Sequence, residues 1–185
     1  MPEVQAPDHR LENEGQMKLH SMALATALAV STLLVPAQAA DKLNIALELP
    51  KPEHGPYHRP YVAVWIEDAK EQPVKLIELW REKPDWIKDL RRFWRKLGRS
   101  EPALVDAKTG ATKGPGSYKV RWDGKDEQGK AVAAGTYVLF VEAAREQGGR
   151  NLAKQAFTWD GSAVQIEIKA SKELGKIQLT SVQGK

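Results

Sequence analysis

Breaks in this chain recur so closely that only short strands fit between them, and that spacing limits the fold more than any other feature. After residue 60 the sequence turns at DAKEQ (68–72), DGKDEQGK (123–130), QGGR (147–150) and Asp160-Gly161. The intervening stretches include YVAVWIED, PVKLIELW, SYKVRW, TYVLFVEAAR, NLAKQAFTW, AVQIEIKA and KIQLTSV, which carry many β-branched and aromatic residues. Upstream, Leu43, Ile45, Leu47 and Leu49 alternate with Asn44, Ala46 and Glu48 until Pro50 and Pro52, the period of a half-buried strand. Turn signals every ~8 to 12 residues point to an antiparallel β-sandwich of about seven or eight strands, with YVAVWIED and PVKLIELW as a hairpin.

One segment breaks the strand pattern. In PDWIKDLRRFWRKLG, Trp86, Ile87, Leu90, Phe93, Trp94 and Leu97 fall at helical spacing, with Pro84 near the start and Gly98 at the stop. The expectation is one amphipathic helix from Pro84 to Leu97. Its apolar stripe should cover an edge or side of the sheet, while Lys88, Arg91, Arg92, Arg95 and Lys96 face outward. The fold class is therefore all-β, with one inserted amphipathic α-helix.

Where such a domain works is suggested by MKLHSMALATALAVSTLLVPAQAA, which begins at Met17. A lysine, an apolar run from Met22 to Val35, and Ala37-Gln38-Ala39 in an A-x-A arrangement read as a secretory signal peptide over 17–39, cleaved to leave Ala40 first. The polar, acidic residues 1–16 read as an over-extended start, and 40–185 as a single domain. Of 28 Lys+Arg and 24 Asp+Glu, the first 39 residues hold two and four, leaving 26 against 20 and a net charge of +6. Export to the periplasm excludes nucleic acid as a partner. The absence of cysteine excludes disulfides, thiolate metal sites and cysteine nucleophiles. The serines lack a G-x-S-x-G elbow, and neither H-E-x-x-H nor a P-loop occurs, so hydrolase and nucleotide-binding readings have no residues to stand on.

The segment WDGKDEQGKAVAAGTY, from Trp122 to Tyr137, resembles a signature of immunoglobulin-like domains such as those of the flagellar hook-cap protein. That resemblance implies an immunoglobulin-like sandwich and says nothing of function. Gly124, Gly129 and Gly135 are expected to serve turns needing positive φ. Asp123, Asp126 and Glu127 could supply oxygen ligands to calcium, although turn chemistry already accounts for them. His54 and His58, with Glu53 beside them, are a second candidate metal group, set against a solvated loop.

Taken in order, HRPYVAVWIEDAKEQPV, LW, WIKDLRRFWRK, DAKTGAT and WDGKDEQGKAVAAGTYVLFVEAAREQGG resemble the periplasmic family known as domain of unknown function 2271, over nearly all of the chain from about Asp41. The resemblance implies a setting beside membrane proteins of the PepSY type and flavin transferases, in systems linked to extracytoplasmic electron transfer and iron. Within it, Asp106-Ala107-Lys108-Thr109-Gly110-Ala111-Thr112 is similar to the D-x-x-[ST]-G-A-T motif to which a periplasmic FAD:protein FMN transferase joins FMN by a phosphoester. Carried over, the acceptor is Thr112, with Asp106, Thr109, Gly110 and Ala111 completing the motif. Gly110 and Ala111 would keep its surroundings slim, Lys113 could pair with the phosphate, and Trp80, Trp86 or Trp94 could stack on the ring. The same stretch also reads as a glycine-punctuated loop in which Thr109 or Thr112 bonds locally.

Two functions follow. The first is a non-catalytic periplasmic binding or adaptor module serving a membrane redox or iron-uptake system, with Arg91, Arg92 and Arg95 meeting an acidic partner or membrane surface. The second is an electron-transfer flavoprotein carrying covalent FMN on Thr112.

Overall fold

A computed structural model describes residues 42–182 except Gly55; the expected start, signal peptide and cleavage site lie outside the described residues. The strands are β1 (Lys42–Leu49), β2 (Tyr61–Asp68), β3 (Pro73–Trp80), β4 (Thr109–Gly110), β5 (Gly116–Trp122), β6 (Gly135–Ala144), β7 (Arg150–Trp159), β8 (Gln165–Ile168) and β9 (Ile177–Val182). They form a four-stranded sheet ordered β5-β1-β9-β8 and a five-stranded sheet ordered β4-β3-β2-β6-β7. Every pairing is antiparallel except the short parallel contact of β3 with β4. The all-β sandwich expected from the turn spacing is present.

Alternation in β1 buries Leu43, Ile45, Leu47 and Leu49 against Val62, Val64 and Ile66 of β2, Leu139 and Val141 of β6, and Trp122 and Trp159. A second apolar cluster lies on the other face of the five-stranded sheet, where Tyr61, Ala63, Trp65, Leu76, Leu79 and Phe140 meet Ile87, Leu90, Phe93 and Leu97. β2 is thus covered on both faces, and its apolar residues run without a break from Tyr61 to Ile66. β3 does not alternate. Two register shifts against β2 let Val74, Ile77 and Trp80 turn to the inter-sheet core while Leu76 and Leu79 turn to the outer cluster.

The covering layer differs from the single helix expected. Pro84–Asp89 is a 3₁₀ turn, Arg91–Phe93 a short α turn and Trp94–Gly98 a π turn. Leu90 separates the first two with φ −78° and ψ 73°, outside the helical region. The apolar side chains still face the sheet, because burying them outweighs the regularity of the backbone. A further helix, Pro102–Lys108, stands where an open loop was expected, with proline at its start. Gly135 also differs from expectation: positive φ occurs at Gly116, Gly124, Gly129 and Gly161, not there. At Gly124, φ is +70° and a Cβ would lie 2.7 Å from the Trp159 indole, so both backbone and space require glycine.

Candidate functional site

Beneath the covering layer lie two carboxylates that the sequence reading missed. Glu67 on β2 and Glu142 on β6 are fully buried on the outer face of the five-stranded sheet. The break at Leu90 leaves the amides that open the α turn without helical acceptors, and Glu142 supplies them: its carboxylate accepts the N–H of Phe93 at 2.8 Å and of Arg92 at 3.2 Å. Arg150 from β7 donates to the same carboxylate at 2.6 Å. Glu67 accepts the Trp65 indole N–H at 2.8 Å and the Arg92 guanidinium at 2.6 Å. That guanidinium lies 4.1 Å from the centroid of the Phe140 ring, and its Nε is buried without a hydrogen-bond partner among the described residues.

Arg92 therefore points inward, contrary to its expected place beside Arg91 and Arg95. Its side chain is 15% exposed and bound to Glu67, with Glu71 3.8 Å away. Lys96 also turns toward Glu71, donating to its carbonyl at 2.7 Å. Arg91 and Arg95 stay exposed and form no ion pair among the described residues. Lys88 lies 5.9 Å from the centroid of Trp94.

The DAKTGAT stretch spans three local structures. Asp106 sits on the Pro102–Lys108 helix, exposed, its carboxylate 2.8 Å from the Arg81 guanidinium. Thr109 donates its hydroxyl to the Val105 carbonyl at 2.6 Å, the local bonding expected of a structural loop. Thr109 and Gly110 then pair with Leu79 and Trp80 as β4, and the Gly110 carbonyl accepts the Arg81 N–H at 2.9 Å. Ala111 is exposed, but Thr112 is only 7% exposed and its hydroxyl has no hydrogen bond among the described residues. Lys113 lies 5.0 Å from the ring centroid of Trp80 and 5.4 Å from that of Tyr118. Trp80 itself is buried in the core, and Trp86 and Trp94 are half-buried in the covering layer. The motif residues are close in space, Trp80 is buried, and Thr112 keeps a small exposed area.

Both candidate metal groups are occupied otherwise or dispersed. Asp126 accepts the amides of Gln128 and Lys130, while Glu127 accepts the Leu76 amide and sits 3.5 Å from Lys75. His58 lies 3.6 Å from Glu146, and His54 is exposed in a separate cleft beside Lys51 and Lys172. Among the described residues no group of three or more His, Asp or Glu is placed to hold a metal ion.

Residues 42–176 match the model of a family described as "Predicted periplasmic protein (DUF2271)". The chain belongs to the DUF2271 family. Neither a curated protein nor a solved structure matches it. For this DUF2271 domain the match covers every element named above except β9 and takes in both the covering layer and the DAKTGAT stretch.

Just past the end of β6 in this DUF2271 domain, Arg145 and Glu173 form a nearly closed pair, Nε to carboxylate at 2.8 Å. Burial pushes the Glu173 carboxyl up, but hydrogen bonds from Arg145 and from the Gly149 amide outweigh it and hold the group below its ordinary value. The same bond raises Arg145. Asn151 accepts the Glu173 amide at 2.7 Å, so the pair ties the β6–β7 turn to the chain entering β9.

Proposed function

We propose that this domain is a non-catalytic periplasmic adaptor that docks on an acidic surface of an envelope partner through Arg91 and Arg95. The observation that carries the reading is the division of cations along one short segment. Arg92 and Lys96 are held by Glu67 and Glu71, whereas Arg91 and Arg95 point outward without a carboxylate partner among the described residues. Exposed guanidinium groups on a rigid, buried-backed layer suit bidentate contact with carboxylates and steer association through long-range attraction. The setting in a membrane redox or iron-uptake system, and a partner of the PepSY type, rest on the family resemblance alone.

The test is co-sedimentation of the purified protein with membranes of the producing cell. Binding should weaken as salt rises, fall in Arg91→Glu/Arg95→Glu, and vanish once the membranes are stripped with protease. Equal binding of the variant and the parent protein would sink the reading.

The flavin-carrier reading rests on the DAKTGAT motif, whereas the burial of Thr112 speaks against it. Intact mass after co-expression with an FAD:protein FMN transferase separates the two: a yellow product heavier by one FMN, and lost in Thr112→Ala, supports the carrier. An unmodified mass leaves the adaptor reading alone.

A further inference from the structure

Four cations, Lys42, Lys75, Lys108 and Arg121, line one cavity of about 340 Å³ in which Asp123 is the single lining carboxylate. They come from four separate elements. Lys42 opens β1, Arg121 lies on β5, Lys75 on β3 of the other sheet, and Lys108 ends the Pro102–Lys108 helix. In the β1–β5 register Asn44 faces Arg121 and Leu43 faces Trp122, so Lys42 falls on the diagonal from Arg121 on the same sheet face. Diagonal cross-strand neighbours lie within reach of long side chains, and like charges so placed repel.

Asp123 in the lining and Glu127 beside Lys75 offset part of this repulsion. Lys75 has Glu127 at 3.5 Å, but Lys42, Lys108 and Arg121 take part in no ion pair among the described residues. Asp123 uses its Oδ1 to accept the Lys125 amide at 3.2 Å, which fixes the turn. Lys42 and Arg121 are exposed, whereas Arg92 and Arg150, on the covering layer and β7, each meet a buried carboxylate, Glu67 and Glu142. Four cations against Asp123 and Glu127 leave a net positive potential at one concave site.

We propose that this cavity is a binding site for a small phosphorylated anion. A phosphate group matches the cluster better than a carboxylate does, since it brings more charge and more acceptor oxygens to three cations that lack partners. Ile77, half-buried in the lining, offers an apolar wall to the body of such a ligand. The size is near the lower end for ligand pockets and suits a pyrophosphate or a sugar phosphate rather than a dinucleotide. This assignment is independent of both the adaptor and the flavin readings.

Calorimetric titration with pyrophosphate at constant ionic strength tests it. Saturable binding of one pyrophosphate per chain is expected, weakened at least about tenfold in Lys108→Gln/Arg121→Gln, since removing a charge-assisted hydrogen bond weakens binding by about that factor or more. The single variant Arg121→Gln, at an exposed position, should fold as the parent does and show part of the loss. Arg91→Gln/Arg95→Gln, on the covering layer, should bind as the parent does. No saturable heat, or equal weakening in both double variants, would overturn the site. So would co-sedimentation with phosphatidylglycerol vesicles that Lys108→Gln/Arg121→Gln abolishes but pyrophosphate does not compete, because that result describes a surface patch and not a cavity.

Discussion

The buried Glu142 carboxylate accepts the backbone N–H of Phe93 at 2.8 Å, so a strand of the sheet caps the helical turn that covers it. Glu142→Gln keeps the shape but removes the charge that Arg150 and two amides share. Loss of one partner from a buried charged network should cost about 2 to 4 kcal/mol. Urea unfolding would measure it, and hydrogen exchange at the Phe93 amide should accelerate beyond the global change. A variant as stable as the parent, with Phe93 still protected, would show that the cap contributes nothing.

Gly124→Ala should destabilise the domain by about 1 to 3 kcal/mol, combining the strain of positive φ with the approach of a Cβ to Trp159. Gly135→Ala should change stability far less, because its φ is not positive and a Cβ would meet only Tyr137 at 4.0 Å. Thermal melts of the two variants side by side check the difference, and equal melting temperatures would refute it.

The Glu173–Arg145 pair gives the fold an acid-sensitive contact. Glu173 has a folded value below its ordinary 4.5, so its stabilisation is complete above that pH and is lost as pH falls through the lower folded value. Stability curves of the parent and Glu173→Gln should therefore stand apart at about pH 6 and draw together as pH falls below the ordinary 4.5. A gap that persists into acid would assign the effect to packing and not to charge.

What could be read in the sequence depended on how many faces of a strand are covered. β1, with one face in the core, alternates and is legible. β3 carries two register shifts, and its mixed pattern hid which residues face which cluster. Glu142 did leave a signal, a lone acid inside the apolar run of TYVLFVEAAR, where both faces of the sheet are covered and a charge needs a partner. Periodicity found the covering segment but not its break at Leu90, since side-chain spacing survives where backbone bonding changes. Pro102–Lys108 was missed because seven residues are too few to establish a helical period, and that omission made the DAKTGAT stretch look more open than it is.

The last prediction separates arginines that helical spacing had grouped together. Arg92→Ala leaves Glu67, fully buried, with only the Trp65 indole N–H as a hydrogen-bond partner among the described residues, and should cost about 3 to 5 kcal/mol. Arg91→Ala and Arg95→Ala remove exposed charges that have no ion-pair partner among the described residues and should leave the urea midpoint where it is. Pairing Arg92→Ala with Glu67→Gln should recover part of the loss, because the uncompensated charge disappears with its partner. Recovery would show that the pair sustains the layer through charge balance. If Arg92→Ala is as benign as its neighbours, Glu67 is reached by water in solution and the inward role assigned to Arg92 fails.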